Sequence, residues 1–410
     1  MICVVTGGSA RLKGSSLAET RSAVLDLIRS AGEISRADIA RRSALTEKTI
    51  SGIVRSLLDS GVIIESGYAA STGGKRPVLL RLNDKELYAV GLTLDVARCL
   101  LVVCAVDGTE VARSDLRGTG DDQPPVVLAR VAAALRRLLH RQGIDHGAVV
   151  GLGVAMGGRR GVARGWREET TLADRWEPYD TAAELSRLTG LPVIRENDAD
   201  AAALGEYWTA GSAAQDFVTV YLAYGIGCGI VINGSLYRGA SGNAGEIGHT
   251  LADPAGPPCW CGRRGCLDTV ASPRALTEHI RGSAELSDAC AVTAEMPFEE
   301  VHRRFVAATI HDHPLVRDLV ATTADHLAGA VVNLVNTLDL SLVSLAGPGF
   351  AGLGDHYRRV LEERLNQVAF LRDVHPITVR LGITGTDAAA LGAASVVLHR
   401  RLTPHHASLG

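Results

Sequence analysis

The stretch 245–268, GEIGHTLADPAGPPCWCGRRGCLD, restricts what this chain can fold into more than any other. It brings His249, Cys259, Cys261 and Cys266 into one short segment. These are the soft and borderline donors that Zn²⁺ prefers, and four of them fill a tetrahedral shell with no open position. Such a set describes a closed, structural ion rather than a catalytic one. Gly262 and Gly265 lie between the thiols, where a chain turning tightly around a metal favours residues that tolerate positive φ. Free thiols or a disulfide are the competing uses. A Cys259–Cys261 bridge would be badly strained, because bridged residues need a particular Cα separation and Cβ direction.

Glu246 and Asp268 flank the loop. Clustered acceptors beside a rigid metal staple, with the second ring nitrogen of His249 at hand, suit the hydroxyls of a polyol or sugar. Alternatively both acids are solvated or hold the metal ligands in place, and the residues alone leave the two readings open.

At 410 residues the chain exceeds one compact core, so two or three domains are expected. A net charge of −3 gives no overall basic character. The balance is uneven, however: residues 1–82 carry 12 Lys/Arg against 7 Asp/Glu, a basic head on an acidic body, which suggests a nucleic-acid-binding end. Outside the metal loop, Cys3, Cys99, Cys104, Cys228 and Cys290 are scattered and read as small buried hydrophobes. With no secretory signal and no even cysteine framework, a reducing, cytoplasmic location is expected. No apolar run approaches the about 20 residues of a membrane helix.

Residues 1–16 are expected to form a disordered arm. From there the pattern predicts a helix over 17–31, a second opened by Ser35 with Asp38 in a capping-box variant, and a third over 47–60 capped by Thr46. On the third helix Ile50, Val54, Leu57 and Leu58 make one apolar stripe. Two short helices, a tight turn and a third helix have helix-turn-helix geometry. Lys48, Ser51 and Arg55 occupy the opposite face of the third helix, with Thr49 at its edge, placed to reach base edges and phosphates in a major groove. VIIES and VLLRL then form a two-stranded wing with Lys75 and Arg76 at its tip. The competing reading of 17–83 is a dimerisation or adaptor module with merely solvated basic residues.

From Tyr88 the texture becomes β-rich, with Asp107-Gly108 as a hairpin turn, a helix over about 125–142 and a strand over 148–155. A second round of strand, turn and strand starts near Asp216 and ends, after long helices, in SLVSLAG (341–347). This repetition predicts two α/β lobes with a cleft between them. Residues 193–206, VIRENDADAAALGE, put Glu-Asn-Asp at the mouth of a strand before an Ala-rich helix. There the helix dipole favours the charge of Asp198. Read locally, Asn197 or Asp198 is an N-cap.

The joint pattern G-E-x-G-H followed by C-x-C-G-x-x-G-C closely resembles the ROK family of repressors, open reading frames and sugar kinases, and the resemblance runs from about Leu17 to about Leu402. It implies an actin-like, ribonuclease-H-like body over 84–410, and ROK repressors also resemble the head and the GGKRPVLLRLN that joins it to the body. It implies further that Asn197 holds sugar hydroxyls and that Asp198 matches the general base of the kinases, here a vestigial one. With Glu246, His249 and Asp268 they complete an expected ligand site.

Phosphoryl transfer is mostly positioning and charge neutralisation, so it needs loops that cradle phosphate. Where ROK kinases carry Asp-x-Gly-Gly-Thr, this chain has Thr93-Leu94-Asp95-Val96-Ala97, and sliding the register to Asp95 leaves Val96, Ala97 and Arg98 in the way. Gly225-Ile226-Gly227-Cys228-Gly229 matches the family, but Ala223-Tyr224 replaces the usual Gly-Thr, and Ala346-Gly347-Pro348-Gly349 departs from Gly-Gly. On the sugar side Gly157-Gly158 replaces Pro-Gly. The expectation is therefore a non-enzymatic, sugar-responsive regulator, most simply a repressor. It binds operator DNA as a homodimer or homotetramer, takes a sugar or sugar phosphate as effector, and holds structural zinc. The alternatives are an active, glucokinase-like sugar kinase and a regulator answering to a partner protein or to zinc.

Overall fold

The computed structural model describes residues 17–70, 76–83, 87–158, 176, 179–210, 215–310 and 313–402. The expected arm over 1–16, Cys3 and the wing-tip Lys75 lie outside the described residues.

The head forms as its caps dictate. Helices α1 (Leu17–Ala31), α2 (Arg36–Ser43) and α3 (Glu47–Asp59) are followed by strands β2 (Ile63–Tyr68) and β3 (Val78–Leu82). A short β1 (Ile34–Ser35) pairs with β3 and gives a three-stranded sheet in the order β1-β3-β2. Ser35 caps α2: its hydroxyl accepts the Asp38 N–H at 3.2 Å and donates to the Asp38 carboxylate at 2.7 Å. Ala44, at φ 54, makes the left-handed turn into α3. The buried stripe of α3 is Ile50, Ile53, Val54 and Leu57; Leu58 is only half-buried. Ile53 thus takes the place expected for Leu58, because positions 50, 53, 54 and 57 share one face and 58 steps round towards solvent.

The body is built twice on one plan. In the first lobe β4 (Tyr88–Thr93), β5 (Arg98–Ala105), β6 (Glu110–Arg117), β7 (Val149–Ala155) and β8 (Val193–Glu196) lie in the order β6-β5-β4-β7-β8. The hairpin pairs are antiparallel, while β4–β7 and β7–β8 are parallel. The second lobe repeats order and sense with β9 (Phe217–Leu222), β10 (Ile226–Ile232), β11 (Ser235–Leu236), β12 (Leu342–Ala346) and β13 (Thr378–Leu381), as β11-β10-β9-β12-β13.

Strand periodicity decides what covers each face. Val90 and Leu92 point to the outer layer made by α4 (Pro124–Gln142) and α5 (Thr181–Thr189), where they meet Leu128, Val131 and Leu185. Gly91 and Ala89 point the other way, towards the last helix, Ala388–Leu402. That helix and α6 (Asp198–Ala210) pack together between the two sheets. Small residues make this possible. A Cβ on Gly392 would sit 1.8 Å from the Ala201 carbonyl oxygen, and one on Gly153 would sit 1.9 Å from that of Ala393. The second lobe's outer layer rests on Val218, Val220 and Leu222, under the helices Pro314–Leu338 and Gly354–Val368.

Helix α6 is tied in three places. Asn197 caps its start: the amide oxygen accepts the N–H groups of Ala199 at 2.9 Å and Asp200 at 3.2 Å. Midway, the wholly buried Glu206 accepts the N–H groups of Ile383 and Thr384 at 3.1 and 2.9 Å and the Ser344 hydroxyl at 3.2 Å, which fixes the helix to the second sheet. Its end carries the head. The Arg29 guanidinium of α1 donates to the Trp208 carbonyl and lies over the Trp208 and Tyr207 rings, with centroids at 4.5 and 5.4 Å. The head's core, including Val24, Ile28 and Leu57, runs without a break into Ala89, Val102, Trp208 and Val397 of the body.

Candidate metal centre and interlobe cleft

The loop 245–268 folds back on itself through two antiparallel bridges, Leu251 with Cys266 and Pro258 with Arg264. Its turns use the expected glycines: Gly262 and Gly265 stand at φ 91 and 64, and a Cβ on Gly265 would meet the Asp253 carbonyl oxygen at 1.5 Å. The Cys259 N–H donates to the Arg263 carbonyl at 2.7 Å, so the thiols are brought round by backbone bonding alone. The donor atoms of His249, Cys259, Cys261 and Cys266 all fall within 4.8 Å of one another. Cys259 Sγ lies 3.5 Å from His249 Nδ1, and Cys261 Sγ lies 3.5 Å from Cys266 Sγ. Tetrahedral zinc, with bonds of about 2.0–2.3 Å, separates its ligand atoms by about 3.5–3.8 Å, so this arrangement can hold a metal and is compatible with zinc. His249 Nδ1 faces the thiols, which turns Nε2 the other way. Trp260 packs edge-on against the His249 ring at 4.5 Å.

Asp198 opens α6 and its Oδ1 accepts the Ala199 N–H at 2.9 Å. A Cβ on Gly157 would lie 3.4 Å from Asp198 Oδ2, so the 157–158 turn and this carboxylate share one wall of the cleft. Asn197 Nδ2 points to the Gly158 carbonyl at 3.4 Å. The helix dipole does not govern Asp198 as expected. Burial pushes its carboxyl up to about 6, and the nearby charges of Asp95 and Glu246 add to the shift. Glu246 is exposed at the entry of the short turn Ile247–His249, which delivers His249 to the cysteine cluster.

Asp268 is more constrained than the sequence suggests. Oδ1 accepts the Ile226 N–H at 3.1 Å, and Oδ2 pairs with Arg274 at 3.0 Å. One oxygen therefore braces the 225–226 turn and the other holds Arg274 of the helix Pro273–Gly282.

At the first phosphate-loop position, the Ala97 N–H is taken by Asp95 Oδ1 at 2.9 Å. The Arg98 guanidinium crosses to Asp387 in the second lobe at 2.7 Å, and Arg113 reaches the same carboxylate at 2.8 Å. Burial raises the Asp95 carboxyl, with Glu299 of the facing lobe adding to it. Neither the Asp387 contact nor the ion pair of Arg238 with Glu196, at 2.6 and 3.0 Å, was expected from sequence.

On the head, Lys48, Ser51 and Arg55 are exposed together on α3, and Arg76 is exposed before β3. Thr49 is half-buried and engaged locally: its hydroxyl lies 2.9 Å from that of Thr46, which also accepts the Thr49 N–H at 3.2 Å. Among the described residues no helix is long and apolar enough to cross a membrane.

Comparison with known proteins gives three findings. The ROK family model matches residues 101–400, and a winged helix-turn-helix DNA-binding model matches 17–64. A putative xylose repressor of Caldicellulosiruptor is 28% identical over 369 residues, covering 89% of this chain and 92% of that one. The xylose repressor of Bacillus subtilis is 30% identical over 249 residues, 60% of this chain and 64% of that one, and a glucokinase of Halalkalibacterium halodurans is 29% identical over 327 residues, 76% and 95%. Among solved structures, a ROK family transcriptional regulator homologous to the E. coli Mlc protein superposes with a TM-score of 0.70 at 22% identity, covering 96% of this chain and 99% of that one. A ROK hexokinase of Thermus thermophilus gives 0.58 at 26% identity, covering 75% and 97%. The body thus has the actin-like fold of sugar kinases, and the head is a winged helix-turn-helix.

Proposed function

The chain belongs to the ROK family, and we propose that it is a sugar-responsive transcriptional repressor whose kinase-like cleft has become a sensor. The observation that carries this reading is the continuity of head and cleft. Helix α6 starts at Asn197 and Asp198 in the cleft and ends at Trp208 against Arg29 of the DNA-binding head. A sugar or sugar phosphate is held through Asn197, Asp198, Glu246 and the Nε2 edge of His249, with Asp268 bracing the loop beside them. Relatives named for xylose make D-xylose the first effector to try. Zinc on His249, Cys259, Cys261 and Cys266 keeps the Glu246–His249 turn in place and supplies no chemistry of its own.

Lys48, Ser51, Arg55, Arg76 and Lys75 meet operator DNA, with Thr49 serving mainly the helix cap. Two heads in a homodimer, or a homotetramer built from such dimers, read a palindrome whose half-sites lie about one helical turn or a multiple apart. The effector moves that equilibrium only by binding its two forms unequally. The regulator acts in the cytoplasm, where its DNA is.

Against catalysis stand the Arg98–Asp387 contact and the occupied Ala97 N–H, both where a kinase would need open backbone for phosphate. Two measurements test the proposal together. Sequencing of genomic fragments retained by the full chain should return a palindromic site released or strengthened by a sugar. A coupled ATP-consumption assay with the same sugars should stay at background. Sugar phosphorylation abolished by Asp198→Asn would overturn the sensor reading in favour of a kinase.

A further inference from the structure

The two halves of the cleft come from different lobes, and one side chain spans them. Arg238 follows β11 in the second lobe, where its backbone is held firmly. The Tyr237 N–H donates to the Ile230 carbonyl at 2.7 Å, and the Arg238 carbonyl accepts the Ala244 N–H at 3.1 Å. That second bond closes the short loop leading directly to Gly245 and Glu246. Gly245 admits no side chain, since at φ 87 its Cβ would fall 1.8 Å from the Cys228 carbonyl oxygen.

The guanidinium of Arg238 leaves this base and enters the first lobe. It meets both oxygens of Glu196, at 3.0 and 2.6 Å, and approaches Asp200 Oδ2 at 3.8 Å. The Glu196 side chain is fully buried at the end of β8, and its Oε1 also accepts the Asn197 N–H at 3.1 Å. Its own carbonyl takes the Met156 N–H at 3.1 Å, at the start of the 157–158 turn. One carboxylate thus fixes the corner that presents Asn197 and Asp198. One arginine joins that corner to the loop that presents Glu246 and His249.

A two-point Arg–carboxylate pair sets orientation as well as distance, which a single ammonium contact does not. We propose that Arg238 is a positioning residue for the effector: through Glu196 it fixes the spacing between the Asn197–Asp198 wall and the Glu246–His249 wall. It does not itself touch the ligand. This role rests on the sensor reading given above, because it presumes a ligand that both walls grip. Orienting groups that hold a site to within a fraction of an ångström are what give such a site its affinity.

The test uses the full chain and calorimetric titration with D-xylose, D-glucose, N-acetylmannosamine and glucose 6-phosphate. Metal content and duplex affinity without sugar are measured on the same preparations. Arg238→Met should weaken binding of the sugar that the wild type takes by about tenfold or more, since it strips a hydrogen-bonded buried charge pair of one partner. Arg238→Lys, which keeps the charge but not the fork, should recover part of the loss. A merely structural role would not give this graded return in sugar affinity with metal content and duplex affinity unchanged. Should Arg238→Met fail to fold, Arg238→Lys and Glu196→Gln carry the test, each expected to weaken sugar binding several-fold. Sugar affinity equal to wild type in Arg238→Met, or in both milder variants, overturns the role of Arg238 and leaves the sensor reading intact. A wild-type chain that takes none of the four probes overturns both.

Discussion

Replacing Asp198 by Asn should make the protein more stable at neutral pH while blunting its response to effector. The carboxyl is raised from 3.8 to about 6, chiefly because burial penalises its charged form. A group whose folded pKa exceeds its unfolded one binds more protons in the folded state, so stability falls as pH rises through that interval. Below the unfolded value both states are neutral and no penalty exists; above the folded value the penalty is complete. At about 1.4 kcal/mol per unit the full penalty is about 3 kcal/mol, and the partial exposure of this side chain reduces it to about 1–3 kcal/mol.

Asn keeps the shape of the protonated acid, and its oxygen still accepts the Ala199 N–H. It therefore removes the penalty without opening a cavity. Urea denaturation of wild type and Asp198→Asn across pH 4.5–7.5 should show a gain that is full at pH 7.5 and about a third as large at pH 4.5. The same ionised carboxylate is a strong acceptor for a sugar hydroxyl, so wild-type affinity should climb between pH 5 and 7 and the Asn variant should lose that dependence. A pH-independent gain, or a loss of stability at pH 7.5, would refute the assignment of desolvation as the dominant cause. Stability given up for a poised polar group is what a binding site, rather than a helix cap, leads one to expect.

Three further outcomes can be checked independently. Stripping the metal with a chelator, or Cys261→Ser, should release one ion per chain and change the emission of Trp260, which lies against the ligand His249; unchanged emission on verified metal loss would detach Trp260 from the centre. Arg29→Met removes a cation stacked on two rings, worth about 1–2 kcal/mol, and hydrogen exchange should then show α1 opening more readily while α4 keeps its protection. Lys48→Ala and Arg55→Ala should each cost about 1–3 kcal/mol of duplex affinity where they read a base, whereas Thr46→Ala should act through loss of the helix cap at about 1 kcal/mol of stability. Gel-shift titration beside thermal unfolding separates the two effects.

The sequence disclosed what is local. Ser35 with Asp38, Thr46, and the glycines among the thiols each settle a bond or a turn within a few residues. The four candidate metal donors, read from spacing alone, do converge in space. The lobes were legible as a repeated rhythm of strands, because alternation in β4 already separates Val90 and Leu92 from Ala89 and Gly91. Contacts between distant segments were not legible. Nothing beside Arg238 or Arg98 marks Glu196 or Asp387 as its partner, since a charged residue near a loop looks solvated until the topology folds a second lobe over it. Asp268, expected beside the ligand, has structural partners that its place beside the metal loop did not reveal: Oδ1 takes the Ile226 N–H and Oδ2 pairs with Arg274. Leu58 yielded to Ile53 through one step of helical rotation, finer than a count of apolar residues can resolve.

Long-range contacts also hold the two lobes and the head together. Glu206 tethers α6 to the second sheet, and Arg98 reaches from the first lobe to Asp387. On the sugar side Arg238 links the two walls through Glu196. Helix α6 is common to every part of this scheme. Its first turn lines the cleft, its middle is held by the second sheet, and its last residues are stacked under Arg29. Along its length Ala201 and Gly392 pack backbone to backbone, with no room for a side chain at Gly392. A packed interior has discrete arrangements rather than a continuous range, so on the proposed sensor reading a change in the cleft is expected to reach the head as a shift between defined positions.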